Sequence, residues 1–394
     1  MIYGALVLWF LVSGYCFSFL RPRIRKVVTF LFCAIPASLL LALRSEKVGK
    51  DTIAYIISAE VFTSRDGHFA GFGAGFEPAD KALVILSSLT SNPGRTFIVV
   101  SSLLTIFIAF YAIMVISDKP NIVYCLYFLT TLYFFNLSAV RQSLAVSVIM
   151  LAAAVSYKKH WGFAILIVLC ACLFHKTALI MLPVFILSRW RIGSTLLLPA
   201  TVVLTLIACG FKLFDINDIF IKVGYPLYAH SEYAEGVTKL PFVFIVMLFL
   251  LYLLFEDYYR RQQKARVNQD SAIENRGSAI ELPMVESADS SSLLLNRVIL
   301  YAACEGIILC GFMFIFGTIF RMEYYILAVI IPLVPSALDK ISSQTRKKEI
   351  KFFYYAMFIV FFVLFVIGEG NIYGVYQYHL MTIDELNNWH LPIL

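Results

Sequence analysis

In a chain of 394 residues, 60% are apolar, only 14% are charged, and the formal net charge is +7. A soluble domain carries roughly a quarter charged residues, so this composition leaves too little polar surface for a water-soluble globule. It excludes the soluble enzyme classes and predicts an all-α, polytopic integral membrane protein built as a single transmembrane domain.

The first apolar run, Ile2 to Leu20, is followed by Arg21, Arg23, Arg25 and Lys26 and then by a second apolar run. No basic region precedes it and no small-residue cleavage site follows, so it reads as a retained helix and not a signal peptide. A bilayer-length window extends the pattern to twelve candidate spans, at 2–20, 27–43, 95–117, 121–137, 142–157, 161–174, 177–188, 194–211, 241–256, 297–318, 322–338 and 352–368. With both termini outside, the inner connections hold 20 of the 32 Lys and Arg residues and the outer ones hold 12. This asymmetry is the one that orients membrane proteins, and it sets the expected topology.

The stretch 161–188 admits two readings. One continuous helix through His175-Lys176 would invert everything after it, leaving 11 basic residues inside and 20 outside and burying Lys176. A hairpin with its turn at His175 preserves the asymmetry and is the reading adopted.

Three connections are long. Residues 44–94 and 212–240 fall outside and mix aromatics with charges, whereas 257–296 falls inside, is poor in aromatics and is expected to be disordered. All eight cysteines lie in apolar segments, so no disulfide framework is expected, and the six histidines have no ligand spacing, so no metal and no cofactor are expected either. The chain has no Walker sequence and no basic-aromatic surface for nucleic acid; its positive charge suits anchoring to the acidic headgroups of a phospholipid bilayer.

The candidate chemistry lies in the outer connections. Arg44 leaves the second span and is followed by Gly49, which permits a turn, and by Asp51-Thr52, which can cap a helix carrying Tyr55. The plain alternative is a snorkelling arginine beside a helix cap. Glu77 sets a carboxylate before Pro78, again with helix initiation as the alternative. Arg141, next to Gln142, opens a helix of small residues, where a cation opposes the positive end of the helix dipole unless an anion joins it. His175 and Lys176 place an imidazole and an ammonium at a shallow turn, suited to a base, a phosphate donor or a hairpin cap. Glu305 is ionisable well inside a span, a functional candidate by default. Arg321, Glu323 and Tyr324 stand together between the tenth and eleventh spans, where Arg321 and Glu323 alternatively pair with each other. A guanidinium beside hydrocarbon costs roughly 2.5–3.5 kcal/mol at a helix centre, so Arg44, Arg141 and Arg321 together suggest a bound phosphate group.

These segments, in order, resemble the EpsG-like branch of the Wzy-type bacterial polysaccharide polymerases, which make O-antigen and capsule. The resemblance rests on Arg44 with Val48-Gly49-Lys50-Asp51-Thr52-Ile53-Ala54-Tyr55, on Phe76-Glu77-Pro78 ahead of Leu83, on Arg141-Gln142-Ser143-Leu144-Ala145, on Phe174-His175-Lys176-Thr177-Ala178-Leu179, and on Arg321 before Tyr324-Tyr325. Lys176 and Ala79-Asp80 depart from the family pattern, which more often has a small residue after the histidine and a Tyr soon after the Glu-Pro pair.

The resemblance implies transfer of a growing glycan from undecaprenyl pyrophosphate onto a lipid-linked repeat unit, with an undecaprenyl-pyrophosphate-linked oligosaccharide as substrate and a chain-length regulator membrane protein as partner. Arg44, Arg141, Arg321 and Lys176 would then bind pyrophosphate without a metal. His175, Asp51 and Glu77, in that order, are the candidate bases for the acceptor hydroxyl. Tyr55, Gln142, Glu323, Tyr324 and Glu305 are further candidates. A lipid-linked oligosaccharide flippase would line a central cavity with cations from both sides, a glycan ligase would share the chemistry with a different acceptor, and a membrane O-acyltransferase would leave the arginines unexplained.

Overall fold

Each apolar segment read from the sequence contains helix. The computed structural model describes residues 2–63, 76–158, 160–190, 192, 194–210, 240–274, 286–315, 317–341, 347–364 and 379–380. Among them the α-helices are α1 (Ile2–Cys16), α2 (Pro22–Ala42), α3 (Thr52–Thr63), α4 (Pro78–Ser87), α5 (Pro93–Ile116), α6 (Pro120–Leu129), α7 (Leu132–Ser138), α8 (Val140–Tyr157), α9 (Trp161–Ala171), α10 (Met181–Leu187), α11 (Ser194–Gly210), α12 (Leu240–Glu274), α13 (Glu286–Met313), α14 (Glu323–Ile330), α15 (Val334–Asp339) and α16 (Lys347–Phe362). Short 3₁₀ turns cover Lys176–Ile180, Gly317–Met322 and Ile331–Leu333. Proline occupies the first turn of α2, α4, α5 and α6, where its missing N–H costs nothing and its φ is already helical.

Among the described residues, six helices are long and apolar enough to cross a bilayer: Pro22–Ala42, Pro93–Ile116, Val140–Tyr157, Pro241–Lys264, Leu294–Met313 and Ile319–Asp339, the last including its 3₁₀ turns. A seventh is the pair α6 and α7, bent by 55°. The bend sits at Thr131, a β-branched residue at φ 61, which a continuing helix cannot accommodate. The remaining candidate spans hold helices shorter than the ~20 residues of a straight crossing, so length and composition support six or seven of the twelve expected spans among the described residues.

Two further departures concern the connections. Residues 52–63 and 78–87, expected in an outer loop, form α3 and α4. The inner connection 257–296, expected to be disordered, is entered from both sides by helix, since α12 runs to Glu274 and α13 begins at Glu286. Residues 212–239 and 275–285 lie outside the described residues.

The chain divides into two compact units, Met1–Ala154 with Leu166–Leu179 and Phe358–Leu394, and Val155–Ile165 with Ile180–Met357. In the first, α5 is the central helix, packed against α2, α3, α4 and α6. Close approach of α3 to α5 depends on Gly94, where a Cβ would stand 2.4 Å from the Ile56 carbonyl oxygen. Ile56, Ala59, Phe76, Val84, Phe97, Ile98 and Val140 form one apolar cluster that ties α3, α4 and α5 to the start of α8. In the second unit, α13 plays the central part against α10, α11, α12 and α14. There the Trp161 Nε1–H donates to the Phe185 carbonyl at 2.8 Å. In one continuous helix these residues would be about 36 Å apart, so the chain doubles back between them and the hairpin reading holds.

Candidate functional site

Arg44 follows the last turn of α2 and is wholly buried. Its Nε donates to Thr52 Oγ1 at 3.1 Å, and its Nη1 donates to Ser102 Oγ at 3.2 Å and to the Leu41 carbonyl. Its own carbonyl accepts from Arg95 Nη1 at 2.9 Å. Thr52 passes the connection on, donating to the Val48 carbonyl at 2.7 Å and the Leu137 carbonyl at 3.1 Å. Gly49 makes the turn possible: its φ is +86, and a Cβ there would lie 1.8 Å from the Leu137 carbonyl oxygen. Lys50 N–H donates to Ser138 Oγ at 3.0 Å, so residues 44–52 are clamped to the end of α7 immediately before Arg141. Asp51 is half-buried and heads α3, its carbonyl accepting from Tyr55 N–H at 3.0 Å.

Arg141, in the first turn of α8, meets the start of α4. Its Nη1 donates to Glu77 Oε2 at 2.7 Å, with one-fifth of the Arg141 side chain and one-tenth of the Glu77 side chain exposed. The guanidinium also lies over the rings of Phe76, at 5.1 Å, and Tyr55, at 5.6 Å, and the Tyr55 hydroxyl accepts a bond from it. The anion that the helix-dipole argument demanded at Arg141 is thus supplied by Glu77, 64 positions earlier. Glu77 holds the N-cap position of α4 without making a capping bond through its side chain. Instead Ala79 N–H donates to the Leu173 carbonyl at 3.0 Å, which docks the first turn of α4 onto the residues that lead to His175.

One turn along α4 lies Asp80, wholly buried, with no N–H or O–H donor from the described residues on either carboxyl oxygen. Burial pushes its carboxyl up to about 8, opposed by nearby Arg141 and reinforced by Glu77. Asp80 and Glu77 lie within hydrogen-bonding reach of each other, and two carboxyl groups bond only by sharing a proton.

The imidazole of His175 is orientated by its neighbours. Thr177 N–H donates to Nδ1 at 3.4 Å, Thr177 Oγ1 lies 2.7 Å from Nδ1, and Gln142 Nε2 donates to that hydroxyl oxygen at 3.4 Å. Thr177 thus holds the ring through Nδ1 and leaves Nε2 as the atom available to a ligand. Lys176 follows in the 3₁₀ turn, half-buried.

Four of the sequence-predicted residues thus share one site with each other: Tyr55, Glu77 and Arg141 directly, and Gln142 through the His175 turn next to it. Arg321, Glu323, Tyr324 and Glu305 belong to the second unit. Arg321 is half-buried in the Gly317–Met322 turn, whereas Glu323 and Tyr324 are wholly buried at the start of α14. Glu323 Oε1 accepts from the Cys310 thiol at 3.5 Å, and the Oε2 atoms of Glu305 and Glu323 are buried without a donor.

Sequence reasoning missed Asp80, Thr177 and Arg95. Asp80 was visible as a carboxylate three residues after Glu77, on the same helix face. Arg95, buried in the first turn of α5, was open to the same dipole argument that singled out Arg141. Nothing local marks Thr177 as the group that orients the His175 ring.

Among known proteins, a family model described as the EpsG family matches residues 26–380. No curated relative and no solved structure gives a significant match.

Proposed function

The chain belongs to the EpsG family, and from that premise we propose that it polymerises lipid-linked oligosaccharide repeat units at the outer face of the bacterial inner membrane. Family membership and the apolar helices fit a membrane polysaccharide polymerase in general. The twelve-span topology, the donor undecaprenyl-pyrophosphate glycan, the lipid-linked acceptor and the chain-length regulator are parts of this proposal.

The observation that carries it is the seat of Arg141. A guanidinium is held between two aromatic rings and a carboxylate, at a helix start, with one-fifth of its surface in reach of a ligand. A leaving pyrophosphate needs a forked cation that neutralises charge as the glycosidic bond breaks, and an arginine does this without a divalent metal. Arg44, buried and bonded to Thr52, Ser102 and Leu41, supports this reading as the residue that positions the neighbouring turn. His175 offers its Nε2 to the substrate, and Glu77 is the nearest carboxylate for the acceptor hydroxyl. Arg321 and Lys176 are proposed as further phosphate contacts.

Deletion of the gene should leave single capped repeats on the cell surface, and Arg141→Lys should fail to restore long glycan, because an ammonium loses the fork. Complete loss of surface glycan on deletion would indicate a ligase or flippase. Full polymer length with Arg141→Lys would reduce Arg141 to a membrane anchor.

A further inference from the structure

We propose that Glu77 is a displaceable counter-ion: an incoming pyrophosphate takes over Arg141, and the carboxylate it expels, held against Asp80, is the base that receives the acceptor hydroxyl's proton. This rests on the polymerase reading and deepens it.

Four observations converge. Arg141 is already neutralised by Glu77, whose Oε2 takes its Nη1 at 2.7 Å, so an incoming anion competes with that carboxylate for the guanidinium. Both partners reach the surface, Arg141 by one-fifth and Glu77 by one-tenth of the side chain, so exchange does not require the core to open. The guanidinium would keep its seat during exchange, because Phe76 and Tyr55 flank it independently of Glu77. Helix α4 would keep its start as well: Glu77 makes no side-chain cap, and the first turn is tied down by Ala79 N–H to the Leu173 carbonyl.

Asp80 gives the displaced carboxylate somewhere to go. It is wholly buried, lacks any donor from the described residues, and lies within reach of Glu77. Held neutral by its burial, it can donate an O–H to Glu77 once Arg141 has turned to phosphate, replacing the lost ion pair with a shared proton. The cluster, with Arg141 charged, Glu77 charged and Asp80 neutral, carries no net charge before the substrate arrives. The arriving pyrophosphate makes the site anionic, which favours proton uptake by the site at the moment a base is needed.

The step then balances. The acceptor oxygen bonds to the anomeric carbon of the donor sugar, the bond from that carbon to the pyrophosphate oxygen breaks with its electron pair on that oxygen beside Arg141, and the hydroxyl proton moves to Glu77.

The test uses purified full-length protein in lipid nanodiscs, with inorganic pyrophosphate as the probe in calorimetry and with turnover measured separately. Glu77→Gln removes the competitor without removing the side chain, so pyrophosphate should bind about tenfold tighter, while turnover falls by about a hundredfold or more. A purely structural Glu77 would weaken both. Infrared difference spectra of the unaltered protein give a second readout independent of variant folding: pyrophosphate should shift a carboxylic-acid carbonyl band, and the shift should vanish in Asp80→Asn. Unchanged or weaker pyrophosphate binding by Glu77→Gln, or no carbonyl shift in the unaltered protein, overturns the exchange. Tighter binding and the carbonyl shift in a protein that forms no polymer supports the exchange and overturns the polymerase reading instead.

Discussion

Arg44 and Arg141 open the same kind of sequence segment, yet their surroundings give them different work. Arg44 has no exposed surface and spends its donors on Thr52, Ser102 and the Leu41 carbonyl, while Arg141 is held by Glu77 and two rings at the edge of the protein. Asp80 shows the same dependence on surroundings and allows a direct test. Its carboxyl is raised from 3.8 to about 8 by burial. Between those pH values the unfolded chain is ionised at Asp80 while the native protein keeps the proton. The stability it contributes is therefore complete below about pH 4 and is lost as pH rises through about 8, with a limiting slope of about 1.4 kcal/mol per pH unit. Asp80→Asn should flatten the fall in thermal stability between about pH 5 and about pH 8. Parallel melting curves for the two proteins would show that Asp80 is ionised in the native state. None of this was legible from Asp80's immediate neighbours, because the shift depends on what covers the residue.

At the scale of elements, the turn between α2 and α3 is the part most tightly specified. Gly49 has a φ of +86 and its missing Cβ leaves room for the Leu137 carbonyl, which would otherwise be 1.8 Å away. Gly49→Ala is therefore expected to cost about 2 kcal/mol or more, from the left-handed backbone and from the forced retreat of α7. The check is a melting curve of the purified variant, and stability like that of the unaltered protein would mean that α7 gives way freely. The glycine was recognisable as a turn residue; its contact with Leu137 was not, since that carbonyl lies 88 positions later in the chain. The same limit explains α6 and α7. An apolar run over 121–137 announces a span, but hydropathy is blind to φ at Thr131, so the bend of 55° appears only in three dimensions. Helices α3 and α4 were announced only by their starts, at Asp51-Thr52 and Glu77-Pro78, because a window tuned to about 20 apolar residues passes over helices of 12 and 10 residues.

For the whole molecule, the distribution of Lys and Arg remains the argument for orientation. A cysteine introduced at Ser290, near the start of α13, should resist an impermeant thiol reagent in intact cells, and one introduced at Ser231 should react. The reverse pattern would place Arg141 and Glu77 on the cytoplasmic side and remove the proposed substrate from their reach. The sequence by itself determined the all-helical membrane class, the order of the apolar segments, the hairpin at His175 and the family, because these follow from local hydropathy, from charge counted over connections and from short motifs in order. Only the tertiary structure decided that Arg141 pairs with Glu77, that Arg44 turns inward, that Thr177 holds the His175 ring through Nδ1 and that Asp80 is sealed beside Glu77. The reason is physical: helix formation and membrane partition act over a run of neighbouring residues, whereas an ion pair or a buried acid is made by packing groups from distant parts of the chain, and one sequence read alone carries no record of which helix faces meet.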